Sequence, residues 1–189
     1  MKMKSIAVSC AVIAGMAFTA NFANAEDGTG TTPTTVTPTN GKIEFTGSLV
    51  NSACGLAPES SPVKVNFGEI PTSQLKDNQR AGSRHEKIVL QGCDTTVATS
   101  AVVTYTPATQ DVDNSSLAAI VSDTAKGAGI GLIDSGDQDV KWGQATSPVK
   151  LTDGNTNIDF VAYLQADKAN GEVTPGAFQS TINFQIDYQ

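Results

Sequence analysis

The sequence predicts an all-β protein folded as a β-sandwich, and three observations support this prediction. Short apolar segments recur along the chain between proline, glycine, aspartate and asparagine residues, which is typical of strands joined by turns. The final fourteen residues, GAFQSTINFQIDYQ, alternate large apolar side chains with small or polar ones, as a strand with one buried face does. Threonine, valine and isoleucine are common, and no segment sustains a helical period.

The N-terminal segment has the three parts of a secretory signal peptide. Lys2 and Lys4 form a basic start, residues 6–20 are apolar, and an A-x-A cleavage signal ends at Ala25. The apolar stretch is shorter than the roughly 20 residues that a membrane span requires. We therefore predict export of the chain, with cleavage between Ala25 and Glu26.

The charge and the cysteines narrow the class of protein further. The formal net charge of −7 disfavours binding to nucleic acids and to anionic membranes. Cys10 belongs to the signal peptide, so Cys54 and Cys93 remain as an even pair, and a disulfide is the expected state of such a pair in an exported chain. A metal or redox pair is the alternative, but the sequence has no C-x-x-C motif and His85 is its single histidine.

The chain after the cleavage site begins with a polar extension. Residues 26–40, EDGTGTTPTTVTPTN, contain almost no apolar side chain, so we expect them to be disordered when alone. The next stretch, GKIEFTGSLVNSAC, predicts an amphipathic strand, because Gly41, Ile43 and Phe45 share one face and polar residues occupy the other.

The remaining strand candidates follow with turn residues between them. A short helical turn is the alternative for one segment, DNSSLAAIVS at residues 113–122. The strand candidates in chain order are VKVNFG (63–68), EKIVLQGC (86–93), SAVVTYTP (100–107), GIGLID (129–134), VKWG (140–143), PVKL (148–151), NIDFVAYLQAD (157–167) and the C-terminal segment (176–189). Because that last segment is apolar on one face, we expect it to lie at a sheet edge that something must cover.

No segment predicts catalytic or cofactor chemistry. GAGIGLIDSG lacks the third glycine of a dinucleotide loop, whose place is taken by Leu132. DVDNSSLAA places Ser116 and Ser122 where a calcium loop needs glycine and glutamate. His85 has no nucleophile-elbow serine to activate, and nothing selects a glycosidase-like pair among the carboxylates. We therefore predict a protein that is not an enzyme and that has no cofactor or metal.

Taken in order, these segments resemble the type 1-like major pilins of the chaperone–usher pathway in Gram-negative bacteria. Tyr188 is the penultimate residue and Gly176 the fourteenth from the end, with alternating apolar residues between them, as in the terminal motif of these subunits. GKIEFTGSLVNSAC resembles the family pattern G-x-[VI]-x-F-x-G-x-[VI]-[VI]-x-x-x-C. The resemblance covers essentially the whole chain, since VNFGEIPTSQL, LQGCDTT, GAGIGLIDSG and GEVTPGAFQSTINFQIDYQ resemble later segments of the same family.

This resemblance implies an incomplete immunoglobulin-like β-sandwich, the pilin domain, which lacks its final strand. Such a fold has a hydrophobic groove beside its last strand. A periplasmic pilus chaperone fills the groove first, and the N-terminal arm of the next subunit replaces it in the fibre. The resemblance also implies assembly by an outer-membrane usher into a fimbrium on the cell surface. The implied organisation is a signal peptide at residues 1–25, an extension with a donor strand at 26–47, and a pilin domain at 48–189.

Two sets of residues are the predicted site of this strand exchange. The donor residues are Thr39, Gly41, Ile43 and Phe45. The residues of the groove strand are Gly176, Phe178, Ile182, Phe184, Ile186 and Tyr188. Burying the last four is worth roughly 6–12 kcal/mol, so an isolated subunit with an open groove should be unstable or aggregate. If the arm instead folds back on its own subunit, the monomer should be soluble.

The resulting prediction is a structural subunit, the major one of its fimbria, that polymerises by donor-strand exchange into a fibre mediating cell adhesion. A minor or adaptor subunit of the same fibre is one alternative. A tip adhesin with lectin activity is another, although such proteins add a receptor-binding domain. A secreted enzyme or periplasmic binding protein is the third, and a stable monomer in gel filtration without any chaperone would favour it.

Overall fold

The computed structural model describes residues 37–169 and 171–189. The predicted cleavage site between Ala25 and Glu26 and the start of the extension lie outside the described residues. Because the chain divides between Thr46 and Gly47, residues 37–46 and residues 47–189 are described separately. None of the helices in the described ranges is long and apolar enough to cross a membrane.

Residues 47–189 form a sandwich of two antiparallel sheets. In chain order the strands are β1 (Gly55–Leu56), β2 (Arg80–Cys93), β3 (Ser100–Pro107), β4 (Ala118–Ala119), β5 (Ala128–Ile133), β6 (Val149–Lys150), β7 (Gly154–Ala166) and β8 (Ile182–Tyr188). The five-stranded sheet has the order β1-β2-β7-β5-β4 and the three-stranded sheet the order β6-β3-β8. Two segments of 3-10 helix, Pro58–Ser60 and Thr72–Asn78, lie between β1 and β2. The predicted all-β class is confirmed.

The core lies between the sheets and is built from strand faces with a two-residue period. Along β7, every second residue from Thr156 to Ala166 is buried. The ring of Phe160 on this strand lies 6.2 Å from the ring of Tyr105 on β3, between centroids, so the two sheets meet through aromatic side chains. Burial raises the pKa of Tyr105 well above its ordinary range, so its hydroxyl stays neutral.

Most of the predicted strands are confirmed, because their apolar residues pack on this core. The segments EKIVLQGC, SAVVTYTP, GIGLID, PVKL and NIDFVAYLQAD overlap with β2, β3, β5, β6 and β7, respectively. The helical turn predicted for residues 113–122 is wrong: this segment holds a turn closed by the Leu117 amide on the Asn114 carbonyl, followed by β4. VKWG is not a strand either: Trp142 and Gly143 lie in a turn, and Val140 makes a single backbone hydrogen bond to Leu132 of β5.

The predicted disulfide between Cys54 and Cys93 is confirmed. It joins the residue before β1 to the last residue of β2, and both cysteines are buried in the core. The bond closes a loop with a sequence separation of 39 residues. In the chain-entropy account, a loop of this length stabilises the fold by about 4 kcal/mol.

Candidate strand-accepting groove

The C-terminal strand β8 has one hydrogen-bonded neighbour among the described residues. Its register with β3 runs from Ala101 opposite Tyr188 to Pro107 opposite Ile182. The sheet order β6-β3-β8 leaves the other side of β8 unpaired, so the predicted edge position is confirmed. An edge strand presents free backbone N–H and C=O groups, to which another strand can add.

The side chains of β8 alternate as predicted. Ile182, Phe184, Ile186 and Tyr188 are half-buried against the core, whereas the residues between them are exposed. None of the four apolar side chains is fully buried, so each keeps some exposed apolar surface. The alternation of the face is therefore confirmed, whereas its role in accepting a strand stays a prediction.

The first half of the C-terminal segment, residues 176–181, does not belong to β8 as the alternation predicted. It leaves the three-stranded sheet and reaches the other one: Gln179 and Val121 exchange two backbone hydrogen bonds of 2.7 and 3.0 Å. The Ser180 hydroxyl donates to the carbonyl of Ala119 in β4 at 2.8 Å. This stretch therefore bridges the two sheets along the open edge of the sandwich.

A second unpaired segment, residues 62–70, runs opposite the C-terminal segment; we call it the A wall. The pattern VKVNFG predicted a strand here, and that prediction is wrong, although the alternation is real: Val63 and Val65 are half-buried and Phe67 is buried. Within the described ranges, no backbone–backbone hydrogen bond involves the A wall. Its alternating side chains face the core, but it has no neighbouring strand with which to form a ladder.

An apolar groove lies between the A wall and the C-terminal segment. Its larger cavity, of about 690 Å³, lies between Val63 and Phe184 above a floor that includes Ile88, Tyr105 and Phe160. Its smaller cavity, of about 610 Å³, has lining residues that include Ile70, Leu75, Ile120, Leu164 and Val173. Together they follow the C-terminal segment from Val173 to Phe184.

Two aromatic rings separate the cavities. Phe67 of the A wall and Phe178 of the C-terminal segment line both of them, and their ring centroids are 6.1 Å apart. We call this pair the aromatic bridge. Because both rings lie where the two cavities meet, we infer that the groove is shallow at this point.

The end of β8 is anchored beside the disulfide. The Tyr188 hydroxyl donates to the Cys54 carbonyl at 3.3 Å, and burial raises the pKa of this tyrosine. The main-chain oxygen of Gln189 accepts hydrogen bonds from the amides of Thr99 at 2.7 Å and Ser100 at 2.9 Å. The strand is thus fixed at its end, although its free side stays open.

Gly176 lies where the C-terminal segment passes very close to another part of the backbone. A Cβ atom at this position would be 2.0 Å from the Thr124 hydroxyl and 2.6 Å from the Ala125 amide nitrogen. The hydroxyl can rotate away, but the backbone nitrogen cannot. The predicted importance of Gly176 therefore has a local cause, which is close backbone contact at the smaller cavity.

We expect Gly176→Ala to lower the free energy of unfolding by about 1–3 kcal/mol, because the segment must move away from Ala125. The thermal unfolding midpoint and the yield of folded protein should both fall. Gly55→Ala is the matched control, since a Cβ there would meet nothing closer than 3.6 Å. Equal midpoints and yields for the two variants would contradict the proposed contact.

The predicted donor residues are exposed. Ile43 and Phe45 are 78% and 89% exposed, and residues 37–51 form no strand, so the strand predicted for GKIEFTGSLV is wrong for the free subunit. Isolated strands lack the hydrogen-bond partners that stabilise them. Thr39 and Gly41 are also exposed. The structure thus brings the predicted groove residues together and leaves the donor residues on the surface.

The sequence did not predict the residues of the opposite wall as part of the site. Phe67 was interpreted as a strand residue, and Arg84, which donates hydrogen bonds to the A wall, was interpreted only as part of a solvated loop or strand end around His85. The alternation in VKVNFG could have indicated a second groove wall. Nothing in the sequence could have indicated Arg84, because its contact spans 18 residues and depends on the fold.

Comparison with known proteins gives a consistent result. The model of a family described as "Fimbrial protein" matches residues 43–189. A "Major fimbrial subunit" of Proteus mirabilis (strain HI4320) is 50% identical over 189 residues and all of both chains. A "Fimbria A protein" of Serratia marcescens is 37% identical over 150 residues, covering 79% of this chain and 85% of that one.

A solved structure supports the fold. One subunit of a chaperone–usher pilus, from a study of rod uncoiling, superimposes with a TM-score of 0.70 and 24% identity. The match covers 82% of this chain and 99% of the pilus subunit. This likeness confirms the predicted immunoglobulin-like sandwich.

Proposed function

The chain belongs to the Fimbrial protein family, and from this we propose that it is the major structural subunit of a fimbria, joined to its neighbours by donor-strand exchange. Its relatives are structural subunits and not enzymes. The observation that carries the mechanism is the open apolar groove between β8 and the A wall, because both of its sides have unpaired backbone.

The energetics favour an occupant for this groove. Each of the four large side chains on β8 contributes roughly 1.5–3 kcal/mol when it is fully buried. They are half-buried in the structure, so completing their burial recovers part of a total of about 6–12 kcal/mol. A strand in the groove also gives hydrogen-bond partners to β8 and to the A wall, as in other cases of strand addition. The full total of about 6–12 kcal/mol is comparable to the stability of a whole domain.

The N-terminal arm, residues 37–51, is the proposed donor. Ile43 and Phe45 lie on one face with Gly41 and Thr39, which is the pattern that an open groove accepts through alternate side chains. A Cβ atom at Gly41 or Gly47 would meet nothing within 4 Å, so no contact in the described structure requires glycine there. If a side chain is excluded at either position, we expect the exclusion to arise when the arm is bound in a groove.

The aromatic bridge suggests the register of the donor. A glycine fits where the groove is shallow, and large side chains fit on both sides of it. Gly47 meets this condition, because Phe45 precedes it and Leu49 follows it on the same face, whereas Gly41 has only Thr39 on one side. Leu49 is fully exposed in the structure, as a donor residue must be before exchange. We therefore extend the proposed donor from residues 39–45 to Leu49.

The direction of the donor follows from this register and from antiparallel pairing with β8. Leu49 then occupies the smaller cavity, Gly47 crosses the aromatic bridge, and Phe45 and Ile43 enter the larger cavity. Insertion into a neighbour gives a head-to-tail contact, which produces an open filament when it does not close into a ring. The fibre is therefore a polymer of this chain, with the arm of one subunit in the groove of the next.

The remaining partners follow from the exposed groove. Before assembly, β8 is an edge strand with an apolar face, and such edges aggregate unless they are covered. A periplasmic pilus chaperone is the proposed cover after export, and an outer-membrane usher the proposed site of exchange. The fibre then lies on the surface of a Gram-negative cell, where adhesion is a property of the assembled fimbria. The full-length similarity to a major fimbrial subunit favours that role over a minor or adaptor subunit.

Deletion of residues 26–47 tests this function. We expect the truncated subunit to be captured by its chaperone in the periplasm and to form no fibres, because it has a groove but no donor. Electron microscopy of the cell surface and chaperone co-purification are the two measurements. Fibres from the truncated chain would refute the donor assignment. An intact subunit that runs as a stable monomer in gel filtration without a chaperone would instead indicate that the arm fills the groove of its own subunit.

A further inference from the structure

The A wall is attached to the sandwich by a single arginine as well as by packing. Arg84 lies on β2, and its Nε donates to the Asn66 carbonyl at 2.9 Å, while Nη2 donates to the Phe67 carbonyl. The A wall makes no backbone–backbone hydrogen bonds in the described part of the chain, so these two contacts take their place. A guanidinium group is suited to this task, because its planar donors can bind two neighbouring acceptors at once.

A β-bulge places Arg84 under the wall. The register of β2 with β7 shifts between Ala81 and Arg84, and after the shift Arg84 lies opposite Ala162, a buried residue of the core-facing side. Gly82 in this bulge has a φ of +64°, which favours glycine, and a Cβ atom there would lie 2.9 Å from Ile70 Cδ1. The bulge thus turns the arginine toward the wall and leaves room for the wall to approach.

The hydrogen bonds of Arg84 bear on the position of one ring of the aromatic bridge. One of them belongs to Phe67, which is half of the aromatic bridge with Phe178. Fixing the backbone of Phe67 fixes how far its ring extends into the groove. We propose that Arg84 is a positioning residue that sets the depth of the groove at the aromatic bridge and thereby selects glycine in the donor strand that crosses it. This inference rests on the proposed function, with Gly47 as the crossing residue.

A double-mutant cycle in the fibre tests whether Arg84 and Gly47 are coupled. At each junction between neighbouring subunits, Gly47 of the donor arm then lies in the groove that contains Arg84 of the accepting subunit. Four fibres are compared: the parent, Gly47→Ala, Arg84→Lys and the double variant. The measurement is the rate of monomer release at one fixed temperature. In the parent background we expect Gly47→Ala to accelerate release about tenfold, because the added methyl group overpacks the bridge. In the Arg84→Lys background the acceleration should fall to about threefold or less, because a lysine lacks the rigid planar fork that holds both carbonyls, and Phe67 can then retreat.

Arg80→Lys is the matched control. Arg80 lies on the same strand, but its guanidinium binds Asp139 at 2.8 Å and lies over the Tyr163 ring, with no contact to the A wall. The Gly47→Ala acceleration should stay at about tenfold in this background. Equal accelerations in the parent and Arg84→Lys fibres would overturn the proposal, and so would an equal reduction in Arg80→Lys fibres, since that would indicate general destabilisation.

A second measurement applies if a variant does not assemble. Synthetic peptides of residues 37–51, with glycine or alanine at position 47, are bound to subunits that retain their arms, and the half-lives of the complexes are compared. The ratio of the two half-lives should be smaller for Arg84→Lys than for the parent and for Arg80→Lys. An unchanged ratio overturns the role of Arg84 alone. Failure of the glycine peptide to bind any subunit overturns the proposed function itself.

Discussion

A subunit that carries its own donor strand behind Gln189 is expected to become a stable monomer. Residues 37–51 are appended through a short Gly-Ser hairpin, so that they run antiparallel to β8 and enter the groove beside it. Filling the groove should raise the free energy of unfolding by part of the roughly 6–12 kcal/mol that full burial of the four apolar side chains of β8 is worth, because these side chains are already half-buried. Guanidinium unfolding measures the gain, and gel filtration measures the loss of polymer and aggregate.

The control for this fusion changes only the appended copy, by Ile43→Asp and Phe45→Asp. A charged side chain in the groove is costly to bury, so the control fusion should be no more stable than the unfused subunit. If the unfused subunit is already monomeric and as stable as the fusion, its groove is filled by its own chain. The proposed mechanism of assembly would then be wrong, although membership of the family would not change.

The part of the fold that could be predicted is the part in which local pattern and tertiary packing agree. The apolar run in SAVVTYTP and the alternation in INFQIDY gave β3 and β8 because β3 is buried in the core and β8 has one half-buried face, and the two strands pair with each other. The disulfide followed from a pair of cysteines in an exported chain. In these elements the apolar pattern that predicts the strand also drives the packing that forms it.

The part that could not be predicted depends on partners that the sequence does not specify. VKVNFG and GKIEFTG alternate as strands do, yet neither has a backbone neighbour in the described structure. Residues 176–181 keep the alternation of β8, but Gln179 pairs with Val121 in an isolated bridge close to β4. The sequence pattern does not distinguish Arg84 from other charged residues of strands. The bulge at Gly82, which turns Arg84 toward the A wall, is a feature of the fold. Periodicity predicts which face is buried, but it does not predict which backbone lies alongside.

Phe45→Asp in the arm is expected to reduce surface fibres at least about a hundredfold. The aspartate must enter the larger cavity, whose floor is apolar, and an unpaired buried carboxylate is more costly than the strand contact can offset. The variant keeps an intact groove, so it should still accept the arm of a normal subunit. Co-expressed with the parent chain, it should therefore shorten fibres in proportion to its abundance. Fibre length in electron micrographs measures both effects.

Thr46→Asp is the matched control, because it introduces the same charge one residue further on and on the opposite face of the donor. In a strand with one buried face this aspartate faces solvent or the outer side of the sheet, so fibres should form at nearly normal length. If the arm inserts as a strand, aspartate should therefore shorten fibres at position 45 and not at position 46. If Thr46→Asp shortens fibres as much as Phe45→Asp, the arm acts by its charge or flexibility, and a groove that accepts alternate side chains does not explain how these subunits are joined.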